Sequence, residues 1–453
     1  MAKAKSKKIT IEDALVPVEE QPYEVPENWC WVYGRSILKD METKKPDGEF
    51  FGYIDIDSID NKNQRVTEAK KMLTSKAPSR ASRKLHSGDT VFSMVRPYLK
   101  NIAYITEDLS DCIASTGFYV CSPQDIVDSK YLYYLMISPY VVDGLNDFMK
   151  GDNSPSIRKD DIEKFEFPIP PLPEQQRIVE QIESLFLKLD EAKEMAQYAL
   201  DSIGVRKESI LLKALDGYLT ETWRMKTGIK KDSWKVKKIE DLSDVKGGKR
   251  VPKGMSLVSE DTGHPYIKAG NLKKGTVIDE CIQYVPADVL EYIKNYTVKA
   301  GDVYITNVGA CIGDCGVIPE KYNGANLTEN AVKMTNLREC ESEFLAYYLA
   351  SNHVQQIIKG LIASATLGKL SIANIKGIEI NLPMIEEQGE IIRIIKEMFD
   401  AEDNVANTIE KVLDDIELMR KSILAKAFRG ELGTNVLSEE SSIELLKQII
   451  ANE

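Results

Sequence analysis

The chain has 453 residues, of which 43% are apolar, 29% charged and 8% aromatic, which suits roughly two to four domains, each with its own core. With 27 Gly, 18 Pro and 7 Cys it is neither collagen-like, nor disordered, nor a disulfide scaffold. A formal net charge of −12 argues against a protein that holds nucleic acid unaided by bulk electrostatics.

Residues 1–22 are read as an N-terminal tail. It opens with the basic run Met1-Ala-Lys-Ala-Lys-Ser-Lys-Lys8, and since no apolar segment follows, no signal peptide is expected. The longest apolar stretch, residues 131–142, is too short to span a bilayer, so no membrane partner is expected. Seven scattered cysteines suit reduced thiols, and the expected location is cytoplasmic. Residues 23–170 form a first globular region. There Gly52-Tyr-Ile-Asp-Ile-Asp57 alternates as a half-buried strand does, and Thr90-Val-Phe-Ser-Met-Val95 follows a Gly88-Asp89 turn. Residues 130–146 have the apolar spacing of a helix. Charge is local: between residues 62 and 100 ten Lys/Arg face two acids.

Pro168-Ile-Pro-Pro-Leu-Pro173 closes that region, and Pro173 with Glu174 suits a first helical turn. Beyond it, Ile178, Ile182, Leu185, Leu189, Ala192, Ala196, Ala199 and Ile203 recur at alternating four- and three-residue spacing. That is the seam of a coiled coil, and residues 171–232 are read as a central helical spacer region. Residues 233–383 form a second globular region, with Asp302-Val-Tyr-Ile-Thr306 as a strand after a turn, residues 343–359 as a helix, and twelve bases against six acids between residues 230 and 275. Residues 384–433 form a second helical region with the seam Ile391, Ile395, Met398, Glu402, Val405, Ile409, Val412, Ile416, Met419 and Ile423. Small Ala in one seam meets Val and Ile in the other, as in paired helices that interdigitate. Both helical stretches are acidic, and residues 434–453 are a C-terminal tail.

A constant offset of 213 residues relates the halves. Gly88-Asp89 falls on Gly301-Asp302, Glu174-Gln175 on Glu387-Gln388, and Ser209-Ile-Leu-Leu-Lys-Ala-Leu-Asp-Gly217 on Ser422-Ile-Leu-Ala-Lys-Ala-Phe-Arg-Gly430. From Pro170 to Leu219 the ungapped register gives 17 identities in 50 pairs. Upstream the identities thin out. The fold class is α+β: a duplicated pair of mixed globular domain and long helix, too long a unit for a solenoid.

The segment Pro168-Ile-Pro-Pro-Leu-Pro-Glu-Gln-Gln-Arg-Ile-Val179, entering a long helix after a mixed domain and repeated one half later, resembles the specificity subunit of type I restriction–modification systems. The second copy, Asn381-Leu-Pro-Met-Ile-Glu-Glu-Gln-Gly-Glu-Ile-Ile392, departs at Met384 and at Gly389-Glu390. The resemblance covers residues 23–432. It implies two tandem target-recognition domains, each reading one half of a split double-stranded DNA site. It further implies that the helices pair antiparallel, set the spacer and dock two methyltransferase subunits. Two restriction subunits would complete a complex of host defence. S-adenosylmethionine, ATP and Mg would belong to those partners, with no cofactor in this chain.

Basic patches attract phosphates, and Arg, Lys, Asn and Gln read base edges in the major groove. The candidates in the first domain are Lys62, Arg65, Lys70, Lys71, Lys76, Arg80, Arg83, Lys84, Arg96 and Lys100. In the second they are Lys246, Lys249, Arg250, Lys253, Lys268, Lys273 and Lys274, with Gly247-Gly248 allowing close backbone approach. No catalytic or metal-binding residue is expected. Pro46-Asp47 with Asp60-Asn-Lys62 is a degenerate nuclease pattern on a turn signal. Ser364-Ala-Thr-Leu-Gly-Lys369 lacks the first glycine and the Ser/Thr of a phosphate loop, and Cys311-Ile-Gly-Asp-Cys315 is not a zinc spacing. The alternatives are the DNA-recognition subunit of another restriction–modification type, or a protein-only coiled-coil scaffold; the latter leaves the basic domains unexplained.

Overall fold

In the computed structural model, which describes residues 10–364 and 368–452, the Pro-rich run begins as an edge strand: Glu166–Ile169 pairs antiparallel with Cys30–Tyr33, and the helix Leu172–Asp201 starts three residues later. The chain forms two units. One contains the chain up to Ala196 together with Lys411 onward; the other is Gln197–Glu410.

The first unit has a three-stranded sheet in the order Phe118–Cys121, Thr90–Ser93, Ile102–Tyr104. A four-stranded sheet runs Lys70–Leu73, Phe50–Ile54, Ile113–Ser115, Ala81–Lys84, and its middle pair is parallel. The helix expected over 130–146 is two helices, Ser129–Met136 and Pro139–Asn146. Pro139 offers no N–H to continue the first, and the Ser138 side chain caps the second at Val141 N. Trp29, Phe92, Tyr131, Leu135, Ile178 and Ile182 share one core with Phe428 and Leu446 from the far end of the chain. Residues 434–452, set aside from sequence as a tail, thus include a helix, Ser442–Asn452, built into this unit.

The second unit repeats the plan. Lys235–Lys238 pairs with Glu379–Leu382, and the larger sheet runs Asp244–Gly247, Ala331–Thr335, Val303–Thr306, Cys315–Val317. A smaller sheet, Gln283–Tyr284, Pro265–Ile267, Asn326–Leu327, keeps a parallel pair, Pro265–Ile267 with Asn326–Leu327. Thr90–Ser93 matches Val303–Thr306 at the 213-residue offset, and Ile102–Tyr104 matches Cys315–Val317. The aspartate of each Gly-Asp turn accepts a backbone N–H three residues back, from His86 at 2.7 Å and from Lys299 at 2.9 Å. The register therefore holds from Gly88 onward. It fails upstream, where residues 39–87 and 244–300 take different paths and carry 15 of the 17 candidate basic residues.

The long helices pair antiparallel within each unit. In the first, Asp190 meets Arg420, and Lys193 meets Glu417 at 2.7 Å. In the second, Arg206 and Lys207 meet Glu402 and Asp403. Only one row of the expected seam faces inward. In that row Ile395 and Ile416 are buried and Ile409 half-buried; in the other, Ile391 is buried but Met398, Val405, Val412 and Met419 are 37–52% exposed. Their place is taken one residue on by Phe399, Ala406, Leu413 and Arg420. In the first copy Ile178, Ile182 and Ile203 are buried, Leu185, Leu189, Ala196 and Ala199 half-buried, and Ala192 exposed. The reason is that both neighbours in the row are mostly apolar, so hydrophobicity alone does not choose between them.

The matched Glu-Gln pairs have a structural role. The Gln175 side chain accepts from Asp128 N and donates to Ile126 O and Pro170 O. Gln388 does the same with Glu341 N, Glu339 O and Pro383 O, each 213 residues on. Glu174 is buried and accepts from Trp29 Nε1 at 2.8 Å and Asn435 Nδ2 at 2.8 Å; Glu387 accepts from Trp234 Nε1 at 2.8 Å and from Arg224 and Thr220. Burial raises the Glu174 carboxyl above the ordinary range. The departure at Gly389-Glu390 also has a cause. Arg177 forks onto Glu439 at 2.8 Å, whereas Glu390 turns to Arg393 on its own helix.

Candidate nucleic-acid interface

In the first unit the basic residues differ in how free their charges are. Asp60 closes a tight turn by accepting from Lys62 N, Asn63 N and Asn63 Nδ2. These bonds, the Asn63 side chain first, hold its carboxyl below the ordinary range. Lys62 is left exposed beyond the turn, and Arg65 lies 3.8 Å from Asp60. Along Lys70–Leu73 alternate side chains part: Lys70 pairs with Asp55 at 2.7 Å, while Lys71 lies 4.8 Å over the exposed Phe50 ring. Lys76 and Arg80 are exposed, and Arg83 is half-buried with an unpartnered Nε. Lys84 pairs with Glu42 at 2.6 Å. Arg96 donates to Asn153 O at 2.7 Å, and Lys100 has no side-chain partner among the described residues.

In the second unit Lys246 is exposed, 3.9 Å from Asp244. Lys249 lies 5.5 Å from the centre of the Tyr296 ring, and Arg250 is tied to Glu329. Lys268 donates to Gln283, while Lys253, Lys273 and Lys274 are exposed. The glycine pair has a different use from the one expected. A Cβ at Gly248 would stand 2.0 Å from Thr328 O, so the close approach is to the chain's own backbone.

A cleft of about 600 Å³ in the first unit brings together residues that sequence reading kept apart. Lys62, Gln64, Arg65 and Lys100 line one side; Tyr133, Phe186, Asp190 and Lys421 line the rest. Tyr133 Oη donates to Gln64 O at 3.0 Å and pins the 61–65 turn. Gln64, uncharged though inside the basic run, and Lys421, on the acidic second helical region, are not among the expected contacts.

The weighed alternatives have their own geometry. Asp60 is consumed by its turn, and no group of three His, Cys, Asp or Glu among the described residues is placed to hold a metal ion. Cys311 is exposed, and burial pushes the Cys315 thiol up to about 12. Residues 365–367 of the Ser364–Lys369 run lie outside the described residues.

Comparison with known proteins finds relatives along most of the chain. The chain is 24% identical over 354 residues to the specificity subunit of the type I restriction enzyme EcoKI of Escherichia coli K12, covering 73% of each. It is 23% identical to the putative MjaX specificity subunit of Methanocaldococcus jannaschii, covering 90% of this chain and 95% of that one. Among solved structures, the HsdS subunit from Thermoanaerobacter tengcongensis matches at 24% identity with a TM-score of 0.62 over 92% of this chain and all of the other. A chain from a study of type I restriction–modification complex assembly matches with a TM-score of 0.72 over 91% of this chain. The model of the type I restriction modification DNA specificity domain fits twice, at residues 33–196 and 231–414, once in each half and over more than half of the length; the chain belongs to that family.

Proposed function

We propose that this chain is the sequence-reading subunit of a type I restriction–modification complex, with each globular region reading one half of a bipartite double-stranded DNA target. One observation carries the reading. Two units built on one repeated plan keep their register in the strands and helices from Gly88 and Gly301 onward, and differ in the segments that bear 15 of the 17 candidate cations. That is what two different half-sites require of a duplicated fold. Phosphate attraction positions such a protein and base-edge contacts specify the sequence. The helical regions set the gap between half-sites.

The displaced seam row supplies docking faces. On the helix Ile385–Ala427, Met398 and Val405 are exposed apolar residues of the second unit and Val412 and Met419 of the first, and Tyr198, Val205 and Leu212 recur every seven residues along the first helical region. Apolar residues left uncovered by the chain suit two methyltransferase subunits, with two restriction subunits joining for cleavage. In this reading the chain is non-catalytic, and S-adenosylmethionine, ATP and Mg are bound by the partners. No helix among the described residues is long and apolar enough to cross a membrane; the complex works in the cytoplasm.

Mapping methylated bases in cells that carry this chain and its methyltransferase partner tests the reading. A split motif with a fixed gap supports it; a contiguous motif, or methylation independent of this chain, overturns it.

A further inference from the structure

The turn joining Thr90–Ser93 to Ile102–Tyr104 has left-handed backbone at both ends, with φ of 49° at Arg96 and 55° at Lys100. The matching turn in the second unit, 213 residues on, also has positive φ at these two positions, but there they are Gly309, at φ 109°, and Gly313, at φ 98°. Around Gly309 there is open space, so its glycine answers to backbone conformation alone. The first unit thus holds two long cationic side chains in a conformation that its sister turn gives to glycine. Such strain persists where the side chains are needed. A third left-handed residue, Gln64 at φ 48°, lines the same cleft as Lys100.

Charge in the cleft is unbalanced. Its three acids are already engaged, Glu183 by Lys130, Asp190 by Arg420 and Glu417 by Lys193. Lys62, Lys100 and Lys421 have no carboxylate within ion-pair distance among the described residues, and Arg65 has only the 3.8 Å contact with Asp60. A cleft with surplus fixed cations in its lining, beside aromatic rings such as Tyr133 and Phe186, suits a sugar–phosphate strand. At the matching positions of the second unit these cations are missing: Gly313 stands for Lys100 and Glu208 for Lys421.

We propose that this cleft grips the phosphate backbone beside one half-site, through Lys62, Arg65, Lys100 and Lys421. Lys421 comes from the second long helix, so a residue of the spacer contacts DNA directly. The proposal rests on the DNA-reading function and adds to it an asymmetry: one half-site is held by a composite of recognition domain and helix, the other is not.

The test uses the full chain assembled with its methyltransferase partner and a duplex carrying the mapped target, with affinity measured across salt concentrations. Lys62→Ala, Lys100→Gly and Lys421→Ala should each weaken binding about five-fold at physiological salt and flatten the slope of log affinity against log salt by about 0.9. The ratio of affinity for the target to that for a scrambled duplex should stay unchanged. Lys100→Gly should do this without lowering the thermal midpoint, because glycine relieves the backbone. Phosphate ethylation should interfere on the flank of one half-site only, and the interference should vanish in the variants. Wild-type affinity and slope in Lys100→Gly and Lys421→Ala would overturn the proposal. Failure of the wild-type complex to prefer the target over the scrambled duplex is a different result, and it would overturn the DNA-reading function itself.

Discussion

Glu174 and Glu387 occupy equivalent buried positions, but their environments make different demands. Glu174 has neutral donors around it, and burial raises its carboxyl above the ordinary value of 4.5. Folding therefore favours its protonated form. That contribution is full below about pH 4.5 and is lost as pH rises through the raised value. In Glu174→Gln the group cannot ionise, so the variant's thermal midpoint should gain on the wild type as pH rises from 4 to 8. Equal pH profiles for the two proteins would contradict this. Glu387 is instead paired with the buried Arg224 guanidinium. Arg224→Met strands a buried carboxylate and should cost about 3–5 kcal/mol of unfolding free energy, read by denaturant titration. The Glu-Gln match was visible in the sequence as an identity between halves. Its role as a clamp was not, since its partners Asn435 and Ile126 lie 261 and 49 residues away.

Among the elements, the long helices were the most legible, because a heptad seam repeats many times and one misplaced residue does not hide the period. The row containing Met398 was still assigned one residue early. Met398-Phe399 and Val412-Leu413 are both apolar pairs, and only the packed structure shows which member faces inward. The break at Ser138-Pro139 was present in the sequence as a cap followed by a proline, but the apolar spacing runs through it. The antiparallel register also fixes where the spacer can be lengthened. With Asp190 opposite Arg420 and Lys193 opposite Glu417, Ala196 lies opposite Asp414. Adding one heptad after each of these two residues keeps the seam and adds about 10 Å of helix. The preferred gap between half-sites should then grow by about three base pairs. Undiminished affinity for the original gap would show that the helices do not set it.

At the scale of the whole molecule, duplication was readable because the helices and the Gly-Asp turns keep one offset, Gly88 to Gly301 and Glu174 to Glu387. The end of the chain was not. Ser442 donates to Ile169 O at 2.8 Å and Tyr23 to Phe428 O at 3.1 Å, contacts across 273 and 405 residues that no local pattern announces. The basic residues were legible as charges, but their partners were not: Lys70, Lys84 and Arg250 are already paired with acids, while Lys62, Lys100 and Lys421 are not. The central claim is that the two globular regions read independently. Its most direct test replaces residues 23–170 with the matching domain of a relative and maps methylated bases in cells carrying the hybrid and its methyltransferase partner. One half of the split motif should change to the relative's, while the other half and the gap stay as they were. A motif altered in both halves would contradict independent reading.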